Sequence, residues 1–262
     1  MQKILLLFVL AATLFSCSSD DGENLPLVLQ KVVFYKGSAN ERHWNIENGL
    51  LANITRADGS VAEAFTYDSQ NRVIKEVKYT NGVASETNII TYDSDNKINS
   101  INGLGYNFNA ATQTYAYSYG SSFTISCEVN ADLLATNFTR TGTNAGVYHM
   151  TYSNGNMTSF EKTANNTTDT KNFHFDANFG TNPIYDAVLA VARVKSLTDP
   201  NFFIDCQVSK NMANGFDKGS VDPFYYNYGS VPERRLVKIG IEVLDANNNF
   251  VDFYSFADYH YQ

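Results

Sequence analysis

The sequence predicts a mainly β chain: a curved antiparallel β-meander of repeated hairpins, with one helix near residues 183–195 packed on the sheet. A recurring phrase is the first sign. Phe65-Thr66-Tyr67-Asp68-Ser69-Gln70-Asn71-Arg72-Val73-Ile74 returns 25 residues later as Ile90-Thr91-Tyr92-Asp93-Ser94-Asp95-Asn96-Lys97-Ile98. Each copy reads as strand, polar turn, strand, because Asp and Asn bond the backbone two residues on and Asn tolerates the left-handed region. The second sign is strict alternation: Val73, Val77 and Tyr79 share one face with Lys75, and Ile74, Glu76 and Lys78 take the other. The third is Asn81-Gly82 after an alternating run, a strong hairpin signal. Hairpins are marginal alone, so the copies are expected to pair edge to edge. A β-propeller with two hairpins per blade is the architectural alternative.

The chain opens with Lys3 and an apolar run over residues 4–15, too short to cross a hydrocarbon core of about 30 Å. Leu14-Phe15-Ser16-Cys17 follows, then Ser18, Ser19, Asp20, Asp21, Gly22 and Glu23. This pattern resembles a bacterial lipobox. The resemblance implies a signal peptide over residues 1–16, lipidation of Cys17, and membrane attachment through the N-terminal lipid. Residues 17–27 read as an acidic flexible tether, too polar to order themselves. The same tract resembles the export signal of surface lipoproteins in the Bacteroidota, which implies an outer-membrane, lipid-anchored, surface-exposed protein. Residues 28–262 are expected to form a single β-repeat domain.

A net charge of −8 argues against nucleic acid as a partner, since phosphate neutralisation needs grouped Lys and Arg and the one dense basic spot, Arg234-Arg235 with Lys238, is explained by a strand face. Beyond Cys17 the chain has Cys127 and Cys206, each in an apolar alternating stretch. They read either as a disulfide pair or as two buried thiols. Neither has the CxxC or histidine neighbour of a metal site, and no metal or cofactor is expected.

Looser copies of the phrase begin at Trp44, Met150, His174 and Val243. Tyr67-Asp68 and Tyr92-Asp93, each with its polar turn and following strand, resemble the YD repeats of Rhs-type proteins and the degenerate YD-like repeats of Bacteroidota lipoproteins. The likeness covers roughly residues 44–262, with Asn71 and Asn96 standing where the full motif carries Gly. It implies an extended β scaffold without known catalysis.

One segment breaks the pattern. Asn182-Pro183 suits a helix start, and Ile184, Tyr185, Val188, Leu189, Val191 and Ala192 form an apolar stripe that should cover part of the sheet. Asp186 near its start and Arg193 with Lys195 near its end suit the helix dipole. The four histidines form no HExxH pair, and no nucleophile elbow or phosphate loop is present. The chain therefore reads as a non-enzymatic binding or interaction scaffold with a carbohydrate or protein partner at the cell surface. A glycan-binding or glycan-processing accessory is the alternative. Tyr115, Tyr117 and Tyr119 on one strand face, with Tyr225 and Tyr226, are the candidate binding aromatics. Cross-strand packing is the competing role for them.

Overall fold

The computed structural model describes residues 28–175, 182–205, 209, 215–217, 221–223, 225–228, 236–244 and 250–262. The expected signal peptide, tether and Cys17 lie outside these residues, as does Cys206.

The described residues are mainly β, as expected, and the strands run antiparallel between neighbours. The first sheet contains β1 (Leu29–Phe34), β2 (Arg42–Glu47), β3 (Leu50–Arg56), β4 (Val61–Tyr67), β5 (Val73–Thr80), β6 (Val83–Tyr92), β7 (Ile98–Ile101) and β8 (Leu104–Gly105). The second contains β9 (Asn107–Asn109), β10 (Thr114–Tyr119), β11 (Phe123–Val129), β12 (Ala135–Gly142), β13 (Gly146–Ser153), β14 (Asn156–Ala164), β15 (Thr167–His174), β16 (Gly215–Asp217) and β17 (Val221–Pro223). The chain then returns to the first sheet with β18 (Tyr225–Tyr228), β19 (Leu236–Leu244) and β20 (Phe250–Tyr261), and β20 pairs with β1. The expectation of one continuous sheet is corrected to two. The break falls at Tyr106: β8 is only two residues long, and the chain crosses there to pair with β10. Two long sheets also replace the propeller alternative.

Hairpin turns use the left-handed pairs the sequence offers. Asn81 and Gly82 have φ of 51° and 75°, and Asn48-Gly49, Asn102-Gly103 and Asn154-Gly155 repeat that conformation. The longer repeat turns are near copies of one another. Asp68 Oδ1 accepts from the N–H groups of Gln70 and Arg72, and Asp93 Oδ1 accepts from those of Asp95 and Lys97. A further copy, unread in the sequence, occupies residues 130–134: Asn130 Oδ1 accepts from Asp132 and Leu134. The left-handed position falls on Asn71, Asn96 and Leu133, with φ of 59°, 61° and 63°.

Just past each turn the ladder slips by one residue. Tyr67 faces Val73 while Thr66 faces Lys75, so Ile74 bulges, and Asn99, Thr136 and Thr158 bulge likewise. The bulge resets the alternation. Val73 points inward, and so does Glu76, both at 1 % exposure or less. The strict alternation that assigned Glu76 to the face opposite Val73 is corrected accordingly.

A bulge also leaves a backbone group of the buried residue beside it without a ladder partner, and the fold answers with hydroxyls. Tyr67 Oη donates to the Leu51 carbonyl at 2.7 Å, and Tyr92 Oη donates to the Val73 carbonyl at 2.9 Å. Tyr115 Oη accepts from Ile98 N–H at 3.2 Å. In the second sheet serines take over: Ser196 Oγ accepts from Ala135 N–H, and Ser209 Oγ from Met157 N–H, both at 2.9 Å. The repeated tyrosine is thus a brace from one hairpin to the one before it.

The helix α1 (Tyr185–Thr198) is followed by a single turn, α2 (Phe202–Asp205). It begins slightly later than the sequence suggests, because Asn182 Oδ1 accepts from Ile184 N–H and holds Pro183 ahead of the first turn. It contacts β3 and β5 in one sheet and β11 and β12 in the other. Of the predicted stripe Ile184, Tyr185, Val188, Val191 and Ala192 are buried and Leu189 is half-buried, and Ala187, Val194, Ser196 and Leu197 are buried as well. The helix is therefore enclosed between two sheets rather than laid on one, a consequence of the sheet break at Tyr106.

Tyr67→Phe and Tyr92→Phe should each cost about 1–2 kcal/mol, since each strands a buried carbonyl. Tyr119→Phe, on a half-exposed ring, should stay within about 0.5 kcal/mol. Urea unfolding of the three variants measures the difference; equal stability would remove the bracing role.

Candidate functional site

The helix carries one residue against the grain of its apolar surroundings. Lys195 continues the stripe through Val188, Val191 and Ala192, and its side chain is 1 % exposed. Its Nζ donates to Glu76 Oε1 at 2.6 Å and to Glu63 Oε2 at 2.8 Å, with Glu63 on β4 and Glu76 on β5. Asn88 Nδ2 then reaches Glu76 Oε2 at 3.1 Å and Glu86 Oε1 at 2.9 Å, and Asn102 Nδ2 reaches Asn88 Oδ1 at 2.8 Å. Burial works against the ammonium, but the two carboxylates outweigh it and raise its pKa above the ordinary lysine value of 10.5. This polar chain bolts the helix to the first sheet. The sequence signal was available: a lysine in register with a buried helical stripe.

On one side of this network lies a cleft of about 530 Å³ bounded by Phe34, Trp44, Ile54, Glu63, Asp199 and Phe202. Its aromatic faces are turned on each other. Trp44 stacks on Phe202 with ring centres 5.5 Å apart, and Phe34 leans on Trp44 at 4.9 Å.

A second cleft of about 530 Å³ lies where the three sister turns, 68–72, 93–97 and 130–134, meet the outer side of α1. Arg72, Lys97 and Arg193 line it against one lining carboxylate, Asp95. Arg72 is committed: its Nη2 lies 2.6 Å from Asp68 Oδ2, its Nη1 donates to Asn96 Oδ1 at 2.7 Å, and its guanidinium covers the Tyr92 ring. Burial opposes the Asp68 charge, but the Arg72 and Gln70 N–H groups and the Arg72 guanidinium hold its pKa below the usual carboxylate value. Among the described residues Arg193 donates its Nε alone, to the Asp132 carbonyl at 2.8 Å, and Lys97 Nζ sits 5.0 Å from the Phe108 ring centre. Sequence reasoning missed this grouping because its residues come from three turns and a helix far apart in the chain.

The residues singled out from sequence fare differently. Tyr115 and Tyr117 are buried, stacked or tilted against Phe108 and Tyr106, so packing occupies them. Tyr119 is 52 % exposed and stacks on Phe123. Tyr225 and Tyr226 lie on β18, opposite Gly240 and Ile239. Cys127 is a free, buried thiol whose Sγ donates to the Ser196 carbonyl at 3.4 Å, and burial pushes its pKa up. Cys206, the other cysteine of the two readings, lies outside the described residues.

Lys195→Ala would leave two carboxylates facing each other in the core, at a cost of about 3–5 kcal/mol. The pH dependence has a definite sign. The folded pKa of Lys195 lies above its unfolded value, so its contribution is complete below about pH 10.5 and is lost as pH rises through the folded pKa. Denaturant unfolding of the parent and of Lys195→Met between pH 7 and 11 should therefore converge toward the alkaline end. A gap that widens with alkali would contradict the assignment.

No protein-family model and no curated protein sequence matches the chain. Among solved structures, a porin-like protein from Bacteroides uniformis aligns with 11 % identity and a TM-score of 0.36, over 89 % of this chain and 98 % of that one. A porin-like protein from Bacteroides vulgatus aligns with 10 % identity and a TM-score of 0.37, over 90 % and 99 %. At such scores the likeness carries neither fold detail nor function to this chain.

Proposed function

We propose that the chain is a lipid-anchored surface protein that acts as a non-enzymatic binding scaffold. The anchor rests on Leu14-Phe15-Ser16-Cys17 and the acidic tract behind it. The observation that carries the binding role is how the polar side chains divide. The repeat tyrosines brace bulges, the repeat Asp residues close turns, and Lys195 joins Glu63 to Glu76. Of the cations that line the cleft among the sister turns, Arg72 is held by Asp68, while Lys97 and Arg193 make no ion pair among the described residues. A glycan-processing role is less well supported. It calls for two carboxylates free to handle protons, and of the two acids that line the aromatic cleft, Glu63 and Asp199, Glu63 is bonded to Lys195 at 2.8 Å.

Cys17→Ala should move the protein from the membrane to the soluble fraction, since the acyl chains supply the membrane affinity. Tight membrane association of the variant would overturn the anchor. Replacing Asp20 and Asp21 with Ala should lower digestion by protease added to intact cells. Undiminished digestion would reduce the acidic tract to a tether.

A further inference from the structure

We propose that the cleft among the three sister turns binds an acidic saccharide, a sugar ring carrying a carboxylate or sulfate, with Lys97 and Arg193 holding the anion. The proposal rests on the binding-scaffold reading above and adds the ligand class and the residues.

Charge is the first support. The chain carries −8 overall, yet this cleft gathers Arg72, Lys97 and Arg193 against Asp95. Arg72 is neutralised by Asp68; the Lys97 ammonium and the Arg193 fork line the cleft with the Asp95 carboxylate, and Asp93 and Asp132 stand in the same turns. Both are half-buried, where low-dielectric walls strengthen their pull on an anion. A guanidinium with Nη1 and Nη2 available suits a planar carboxylate or a sulfate edge, and a neighbouring ammonium adds a point charge.

The remaining walls suit the rest of a sugar. Gln70, Asn71 and Asn96 offer amide donors and acceptors for hydroxyls, while Ile98, Leu133 and Ala190 offer apolar patches for ring C–H faces. The volume lies within the range of small-molecule sites. Leu133 adds a geometric hint. It occupies, at φ 63°, the left-handed position that Asn71 and Asn96 fill in the sister turns. A branched aliphatic residue is costly there, and its side chain lines the cleft.

The test is isothermal titration of the detergent-solubilised full-length protein with tri-galacturonate, chondroitin sulfate disaccharide, neutral galactotriose and inorganic sulfate. An acidic sugar should bind, the neutral trimer should bind at least about tenfold more weakly, and affinity should fall with added salt. Lys97→Gln and Arg193→Gln should each weaken binding by about tenfold. Arg193 also holds the Asp132 carbonyl, so its variant is read only if its melting temperature is unchanged. Lys97→Gln carries the test regardless, since among the described residues its ammonium makes no hydrogen bond and rests over the Phe108 ring. Binding of neither acidic sugar, equal binding of acidic and neutral sugars, sulfate binding as tightly as the saccharides, or full affinity in Lys97→Gln would each overturn the proposal. The anchor and its fractionation test would stand untouched by any of these results.

Discussion

A strand that bulges inside a sheet leaves a peptide group facing the core with no neighbour to bond, and this fold does so after one turn after another. Leu51, Val73, Ile98, Ala135 and Met157 are all at most 4 % exposed, so water cannot settle the debt. Each must find a hydroxyl, and in the first sheet that hydroxyl comes from the next hairpin along. The spacing of the tyrosines, the order of the strands and the direction of the meander follow from that requirement. In the second sheet, Ser196 on α1 and Ser209 beyond it supply the hydroxyl to Ala135 and Met157. The helix is therefore part of the same hydrogen-bond logic as the repeats, and its enclosure between the sheets is more than apolar filling.

The polar chain from Lys195 through Glu63, Glu76, Asn88 and Asn102 acts in a different way. Buried ion pairs add little net stability over apolar packing of the same volume, but they penalise misplacement heavily. A helix shifted by one turn would bury an ammonium without its carboxylates. In a core assembled from similar repeats, where slipped pairings have comparable apolar content, such a penalty favours one docking of α1 over its near competitors.

Local chemistry was legible in the sequence, and long-range chemistry was not. Tyr67-Asp68 and Tyr92-Asp93 announced their hairpins because Asx turns and alternation act within ten residues. The sister turn at residues 130–134 stayed hidden because Asn130 replaces Asp, Leu133 replaces Asn, and Val129 stands where tyrosine was expected. Glu76 was placed on the outer face because alternation counts residues, while the bulge at Ile74 skips one. Reading Lys195 as a dipole partner overlooked its register with Val188 and Val191. The split into two sheets depended on a two-residue strand, and the basic cleft on residues that only the tertiary fold unites.

The pairing of β20 with β1, closed by reciprocal bonds between Val28 and Gln262, also has a bearing on how the chain comes to be folded. In a chain made from its N-terminus onward, β1 keeps one bare edge until β20 has appeared. Hairpins can form in sequence, each leaning on the last, yet β1 waits for its most distant partner. The early hairpins of the first sheet therefore stay open on one edge for most of synthesis, and the sheet locks only when that far strand arrives.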